Sequence, residues 1–148
     1  MKVKDIMTRE VKTLSPDMSV KDAAVKLFTL QISGLPVVDA ENRVVGMFTE
    51  KDIIKMVLPS NIEQVEGLTQ LFGGEALEKK FARTADIKVS EVMRREVICV
   101  DEDTDVAEVA KMMIVKKVRR IPVVRDNKLA GIVARGDIVK QLLKKEGL

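Results

Sequence analysis

The chain is written twice, and that repetition limits its fold more than any other feature. Val3-Lys4-Asp5-Ile6-Met7 lies over Val89-Ser90-Glu91-Val92-Met93 at a shift of 86 residues, and the register runs without a gap to Val38 over Val124. Along it Arg9-Glu10-Val11 meets Arg95-Glu96-Val97, Asp17 meets Asp103, Val20 meets Val106, Ala24 meets Ala110, and Pro36-Val37-Val38 meets Pro122-Val123-Val124. One residue is then lost in a turn, after which Gly46 meets Gly131 and Asp52 meets Asp137. A fixed-period repeat of this length marks two copies of one supersecondary unit.

Each copy predicts the order β-α-β-β-α, an α/β (α+β) class. A short strand (Val11 to Leu14; Val97 to Val100) leads through an acidic or Pro-containing turn into a helix. Val20, Ala23, Ala24, Leu27 and Phe28 stand at i, i+3, i+4, i+7, i+8, and Val106, Val109, Ala110, Met113 and Ile114 repeat the pattern. Ser19-x-x-Asp22 and Asp105-x-x-Glu108 supply helix starts. Strands follow at Leu35 to Val38 and Val44 to Thr49, and again at Ile121 to Val124 and Leu129 to Ala134, with turns at Ala40-Glu41-Asn42 and Asp126-Asn127. The last helix carries Ile53, Ile54 and Val57, or Ile138, Val139, Leu142 and Leu143. Three strands and two helices leave an apolar face open, so the two copies are expected to pack as a pair. The boundaries are 1–58 for the first domain, 59–88 for an insert and 89–148 for the second. In the insert Val65, Leu68, Leu71 and Phe72 have helical spacing, Gly73-Gly74 interrupts it, and Ala76 to Phe81 resumes it, against the module or across an oligomer interface.

Composition narrows the chemistry. There is no His, which removes a histidine acid/base and a His-ligated metal centre. Trp and Tyr are absent and Phe numbers 4, so few rings are available for base stacking. The single Cys99 cannot form an internal disulfide, which fits a reducing cytoplasm. The net charge of +3 is built from interspersed signs and does not by itself call for nucleic acid. No apolar run approaches the roughly 20 residues of a membrane span, and the amino terminus has no signal-peptide core. No G-x-G-x-x-G phosphate loop is present. Gly46 and Gly131, inside strands, mark a bulge or a close backbone approach.

The sequence resembles the tandem CBS (cystathionine-β-synthase) domain pair, here as a stand-alone protein. The resemblance is carried by Asp5-Ile6-Met7 with Glu91-Val92-Met93, and by Leu35-Pro36-Val37-Val38 with Ile121-Pro122-Val123-Val124. Its third part is Val45-Gly46-Met47-Phe48-Thr49-Glu50-Lys51-Asp52 with Ala130-Gly131-Ile132-Val133-Ala134-Arg135-Gly136-Asp137. It covers the chain outside 59–88. It implies a pseudo-two-fold module with a cleft between the repeats for AMP, ADP, ATP or S-adenosylmethionine, signalling to a separate regulated protein. No catalysis, resident cofactor or metal site is implied. Whether Mg²⁺ accompanies the ligand stays open. A cytoplasmic homodimer is expected.

Read from the residues alone, Thr49-x-x-Asp52 is a capping box. The resemblance adds a second role, in which the Asp52 carboxylate accepts from both hydroxyls of a ribose. Asp137 occupies the same place, but Ala134 stands where Thr49 does, so the second site departs from the family pattern. Lys116-Lys117-Val118-Arg119-Arg120 is either a solvated basic helix end or a phosphate contact. The resemblance implies phosphate contacts, Arg119 and Arg120 ahead of the lysines. It also places the adenine slot at Thr13, Gly34, Leu35, Pro36, Cys99, Ile121 and Pro122, each of which is equally a plain core residue. Cys99 is expected to be buried and inert, and Met7, Met93, Met112 and Met113 to be core filler. Two other classes remain: a ligand-free interaction or dimerisation module, and a nucleic-acid-binding protein using the basic stretches 116–120 and 140–145. An enzyme is disfavoured, because no positioned base, activated nucleophile or metal set is visible.

Overall fold

The computed structural model describes residues 1–58 and 76–147. The expectations for Val65, Leu68, Leu71, Phe72, Gly73 and Gly74 lie outside the described residues. A 3-10 turn at Val3–Asp5 opens the chain, followed by α1 (Val20–Leu30), β1 (Gly34–Val38), β2 (Val44–Thr49) and α2 (Glu50–Val57). Then come α3 (Leu77–Thr84), α4 (Val89–Val92), β3 (Val100–Asp101), α5 (Val106–Val115), β4 (Arg120–Arg125), β5 (Lys128–Ala134) and α6 (Arg135–Lys145).

Local chemistry accounts for most of these boundaries. Ser19 Oγ accepts from the Asp22 N–H at 3.0 Å and starts α1. Asp105 Oδ1 starts α5 by accepting from the Ala107 N–H at 2.9 Å, one residue earlier than the expected box. Both helices stop in the same way: Gln31 and Lys117 take left-handed backbone angles (φ 54° and 56°), and the next N–H donates back to Leu27 O or Met113 O. Asp126 and Asn127 both have positive φ, as a two-residue hairpin with a right-handed twist requires. The first copy turns instead through Asp39 to Arg43 with Asn42 alone at positive φ, which accounts for the one-residue gap in the repeat.

The first strand of each copy is shorter than its sequence suggests. Val11 to Leu14 reduces to one parallel bridge, Leu14 to Val37, with the Leu14 N–H donating to Pro36 O at 2.9 Å. In the second copy β3 pairs in parallel with β4 only at Val100↔Val123 and Asp101↔Val124. Pro36 and Pro122 have no N–H to return, so the ladder cannot extend past them. β1 and β2 form a two-stranded sheet, while β3, β4 and β5 form a three-stranded one in that order, with an irregularity between Val123 and Val124.

The chain divides into two compact units that are not the two sequence copies. One contains Thr13–Val37 and Val45–Arg95, and is here called the copy-one unit. Its core is Leu14, Val20, Ala23, Leu27, Leu35, Val37 and Phe48, joined by Val89 and Met93 from the opening of the second copy. Helix α3 packs on α2, and Phe81 lies against this core. The other, the copy-two unit, contains Met1–Lys12, Val38–Val44 and Glu96–Leu148. Its core is Val100, Val109, Met113, Ile121, Val123 and Val133, joined by Val3 and Met7 from the opening of the first copy. The exchange is symmetric. Thr8 and Ile132 trade backbone hydrogen bonds at 2.9 Å each, and Met47 and Arg94 do the same at 2.9 Å each. Each fully buried Val or Leu in these cores contributes about 1.5–3 kcal/mol relative to exposure.

The helices bury a narrower stripe than expected. Val20, Ala23 and Leu27 are buried on α1, but Phe28 is 87% exposed. On α5 Val109 and Met113 are buried and Ile114 is exposed, and Ile54, Val139, Leu142 and Leu143 are likewise exposed on α2 and α6. An i+8 residue lies well round from the i, i+3, i+7 line, and a two- or three-stranded sheet is too narrow to cover it.

Candidate functional site

In the copy-one unit the expected site residues gather where β1 begins. The Leu14 bridge sets Thr13 beside Leu35-Pro36, and the Thr13 carbonyl accepts from Lys26 Nζ at 2.6 Å. The Glu50 N–H donates to Ser33 O at 2.9 Å, which ties the first turn of α2 to the start of β1. Gly34 lies against Thr49: a Cβ at position 34 would stand 2.7 Å from Thr49 Cγ2. Asp52 Oδ2 accepts from the Thr49 N–H at 2.9 Å and from Thr49 Oγ1 at 3.2 Å. The capping role is therefore real. Both hydrogen bonds fall on one carboxylate oxygen, and the half-buried Asp52 keeps its Oδ1 for another donor.

The copy-two unit repeats this arrangement with different side chains. The Arg135 N–H donates to Arg119 O at 3.0 Å, the counterpart of the bond from Glu50 to Ser33. Asp137 Oδ2 accepts from the Ala134 N–H at 2.7 Å, so Asp137 caps α6 without a threonine. Arg120 pairs with Ala134, Ile121 with Val133 and Pro122 with Ile132 across β4 and β5. Arg119 is exposed, Arg120 half-buried, and Lys116 and Lys117 exposed at the end of α5.

Leu35, Pro36, Ile121 and Pro122 are buried core residues, so their side chains present almost no surface in this structure. Cys99 is half-buried, and burial pushes its thiol above the ordinary value of 9.0. It is neutral near pH 7, a small apolar side chain rather than a nucleophile. Arg135 was not singled out from the sequence, although the repeat register sets it under Glu50 and shows the change of sign.

Three comparisons bear on this arrangement. An inosine-5′-monophosphate dehydrogenase of Methanocaldococcus jannaschii is 33% identical over 141 residues, which cover 95% of this chain but 23% of that enzyme. The chain thus spans under a quarter of that relative. Among solved structures, CBSX2 of Arabidopsis thaliana in complex with AMP aligns at TM-score 0.75 and 28% identity, covering 98% of each chain. The CBS domain pair of protein MJ0100, in complex with 5′-methylthioadenosine and S-adenosyl-L-methionine, aligns at TM-score 0.69 and 28% identity, covering 98% of each chain. Residues 3–59 and 89–144 each match the CBS domain. The chain belongs to the CBS domain family and carries two copies of that domain.

Proposed function

We propose that the chain is a non-catalytic regulatory module that binds an adenosine ligand, AMP, ADP, ATP or S-adenosylmethionine, and passes the occupied state to a separate protein. The observation that carries this is the Thr49/Asp52 pair, set at the head of α2 against Gly34 with Asp52 Oδ1 left to take a sugar hydroxyl. Asp137 repeats the carboxylate in the second unit. The AMP bound by CBSX2 and the S-adenosyl ligands bound by MJ0100 support the ligand class. Signalling requires that the ligand prefer one conformation of the module, since equal affinity for two states shifts neither.

Calorimetric titration of wild type and the double variant Asp52→Ala/Asp137→Ala with AMP, ATP and S-adenosylmethionine tests this reading. Binding that is lost or weakened about tenfold or more in the double variant, with folding retained, supports it; each hydrogen bond to a charged carboxylate contributes about 1.5–3 kcal/mol. Unchanged affinity in the double variant rejects the assignment.

The module acts as a cytoplasmic homodimer in this reading. Its support is that the register puts apolar residues at the same exposed places in both units, Phe28 with Ile114 and Ile54 with Val139. A second copy offers a matching apolar face, and burying it removes surface that a monomer leaves in water.

A further inference from the structure

The two units differ by a paired exchange at one spot. In the copy-one unit Gly34 has no side chain, and Thr49 Cγ2 stands 2.7 Å and Phe48 O 3.1 Å from where its Cβ would begin. In the copy-two unit the register sets Arg120 in place of Gly34 and Ala134 in place of Thr49, and these two residues are paired across β4 and β5. Small beside large becomes large beside small. The missing hydroxyl at position 134 thus goes together with a side chain at position 120.

The exchange also changes the charge. Arg119, Arg120 and Arg135 stand where the first copy has Ser33, Gly34 and Glu50, and the same backbone hydrogen bond joins the outer pair in each unit. At these three positions one unit has three guanidinium groups and the other a single carboxylate, with Lys26 Nζ near by on the Thr13 carbonyl. Arg119 and Arg135 are exposed. Both places keep the helix-capping aspartate, Asp52 or Asp137. A guanidinium fork matches phosphate oxygens, whereas a phosphate beside Glu50 meets like charge without a compensating cation from that set.

We infer that the Gly34/Thr49 to Arg120/Ala134 exchange sorts ligands by charge: the Asp137 position takes a phosphorylated adenosine ligand, and the Asp52 position takes an adenosine ligand without phosphate. This rests on the adenosine-binding reading above. At the Asp52 position the neutral sugar meets the threonine hydroxyl and the carboxylate. At the Asp137 position the guanidinium groups replace the hydroxyl as the second recognition element.

The test titrates AMP and adenosine, at one fixed ionic strength, into Asp52→Ala, Asp137→Ala and wild type. In Asp52→Ala, which keeps the arginine-flanked position, AMP binds about tenfold or more tightly than adenosine, as one charge-assisted hydrogen bond predicts. Adding Arg119→Gln, Arg120→Gln and Arg135→Gln to that background brings the ratio close to one. In Asp137→Ala the order reverses and adenosine binds more tightly than AMP. The same ratio in both single variants overturns the charge sorting and leaves the adenosine-binding reading standing. No binding of either compound to wild type overturns both. A second readout needs no ligand: Ala134→Thr lowers the melting temperature beside Arg120, and Arg120→Gly in the same chain restores it. Strictly additive effects of these two substitutions overturn the steric exchange.

Discussion

Met7 Sδ lies 2.6 Å from where a Cβ on Gly131 would stand, and Thr8 O lies 2.7 Å from the same point. The other unit has the matching relationship between Met93 Sδ and Gly46, at 2.5 Å. The strand glycines are thus the seats on which the opening segment of the opposite sequence copy rests. The D-I-M and E-V-M openings end in methionine because an unbranched thioether can lie flat across a bare strand.

Gly131→Ala and Gly46→Ala are expected to destabilise, by about 1–3 kcal/mol for overpacking. Gly131→Ala has the larger effect. Its new methyl meets the Thr8 carbonyl, held in a reciprocal backbone pair with Ile132, whereas at Gly46 the nearest atoms belong to the flexible Met93 side chain and Arg94 O stands at 3.0 Å. Urea unfolding measures both, and equal midpoints for wild type and Gly131→Ala would contradict the close approach.

Phe28→Asp and Ile114→Asp should leave monomer stability within about 0.5 kcal/mol, as surface substitutions do. They should also shift sedimentation toward the monomer. A dimer that persists unchanged in the double variant would show that these faces do not form its contact.

Acid should weaken the fold through three carboxylates, Asp39 half-buried and Asp103 and Asp105 exposed, held below their ordinary value of 3.8. Asp39 is lowered chiefly by the Arg43 N–H, Asp103 by Lys4 Nζ and Asp105 by the Ala107 N–H. A lowered folded-state pKa means stability that is present above 3.8 and lost as the pH falls through the folded value. Lys4, raised above 10.5 chiefly by its hydrogen bond to Asp103, acts at the other end: its contribution is present below 10.5 and lost as the pH rises beyond it. Denaturation midpoints should therefore fall below pH 4, and less so in Asp105→Asn, which keeps a capping oxygen without the charge. An identical acid profile for the variant would remove Asp105 from this account.

Cys99 should alkylate with iodoacetamide more slowly than glutathione at pH 7.5, because burial holds its thiol protonated. Urea should restore the ordinary rate. A native rate equal to the unfolded one would mean that the thiol is not shielded.

Much of this molecule was legible in the sequence because its signals are local. The repeat, the helix faces led by Val20 and Val106, the Ser19 cap and the Asp126-Asn127 turn all depend on residues within a few positions of each other. The proposed ligand residues come together as a set only through the family pattern, since Thr49-x-x-Asp52 describes a helix cap equally well. What the register showed but did not explain was Ala134.

By itself the sequence determined that there are two copies of one unit, where their helices and strands run, and that each keeps an aspartate at the head of its last helix. Periodicity and capping act over a turn or two of chain, so one strand of residues is enough to read them. Only the tertiary structure decided that each opening segment rests on the other copy's sheet, that Phe28 and Ile114 stay in water, and that Arg120 and Ala134 face each other across β4 and β5. Those outcomes depend on which surfaces distant in sequence come within van der Waals reach, and no local pattern carries that distance.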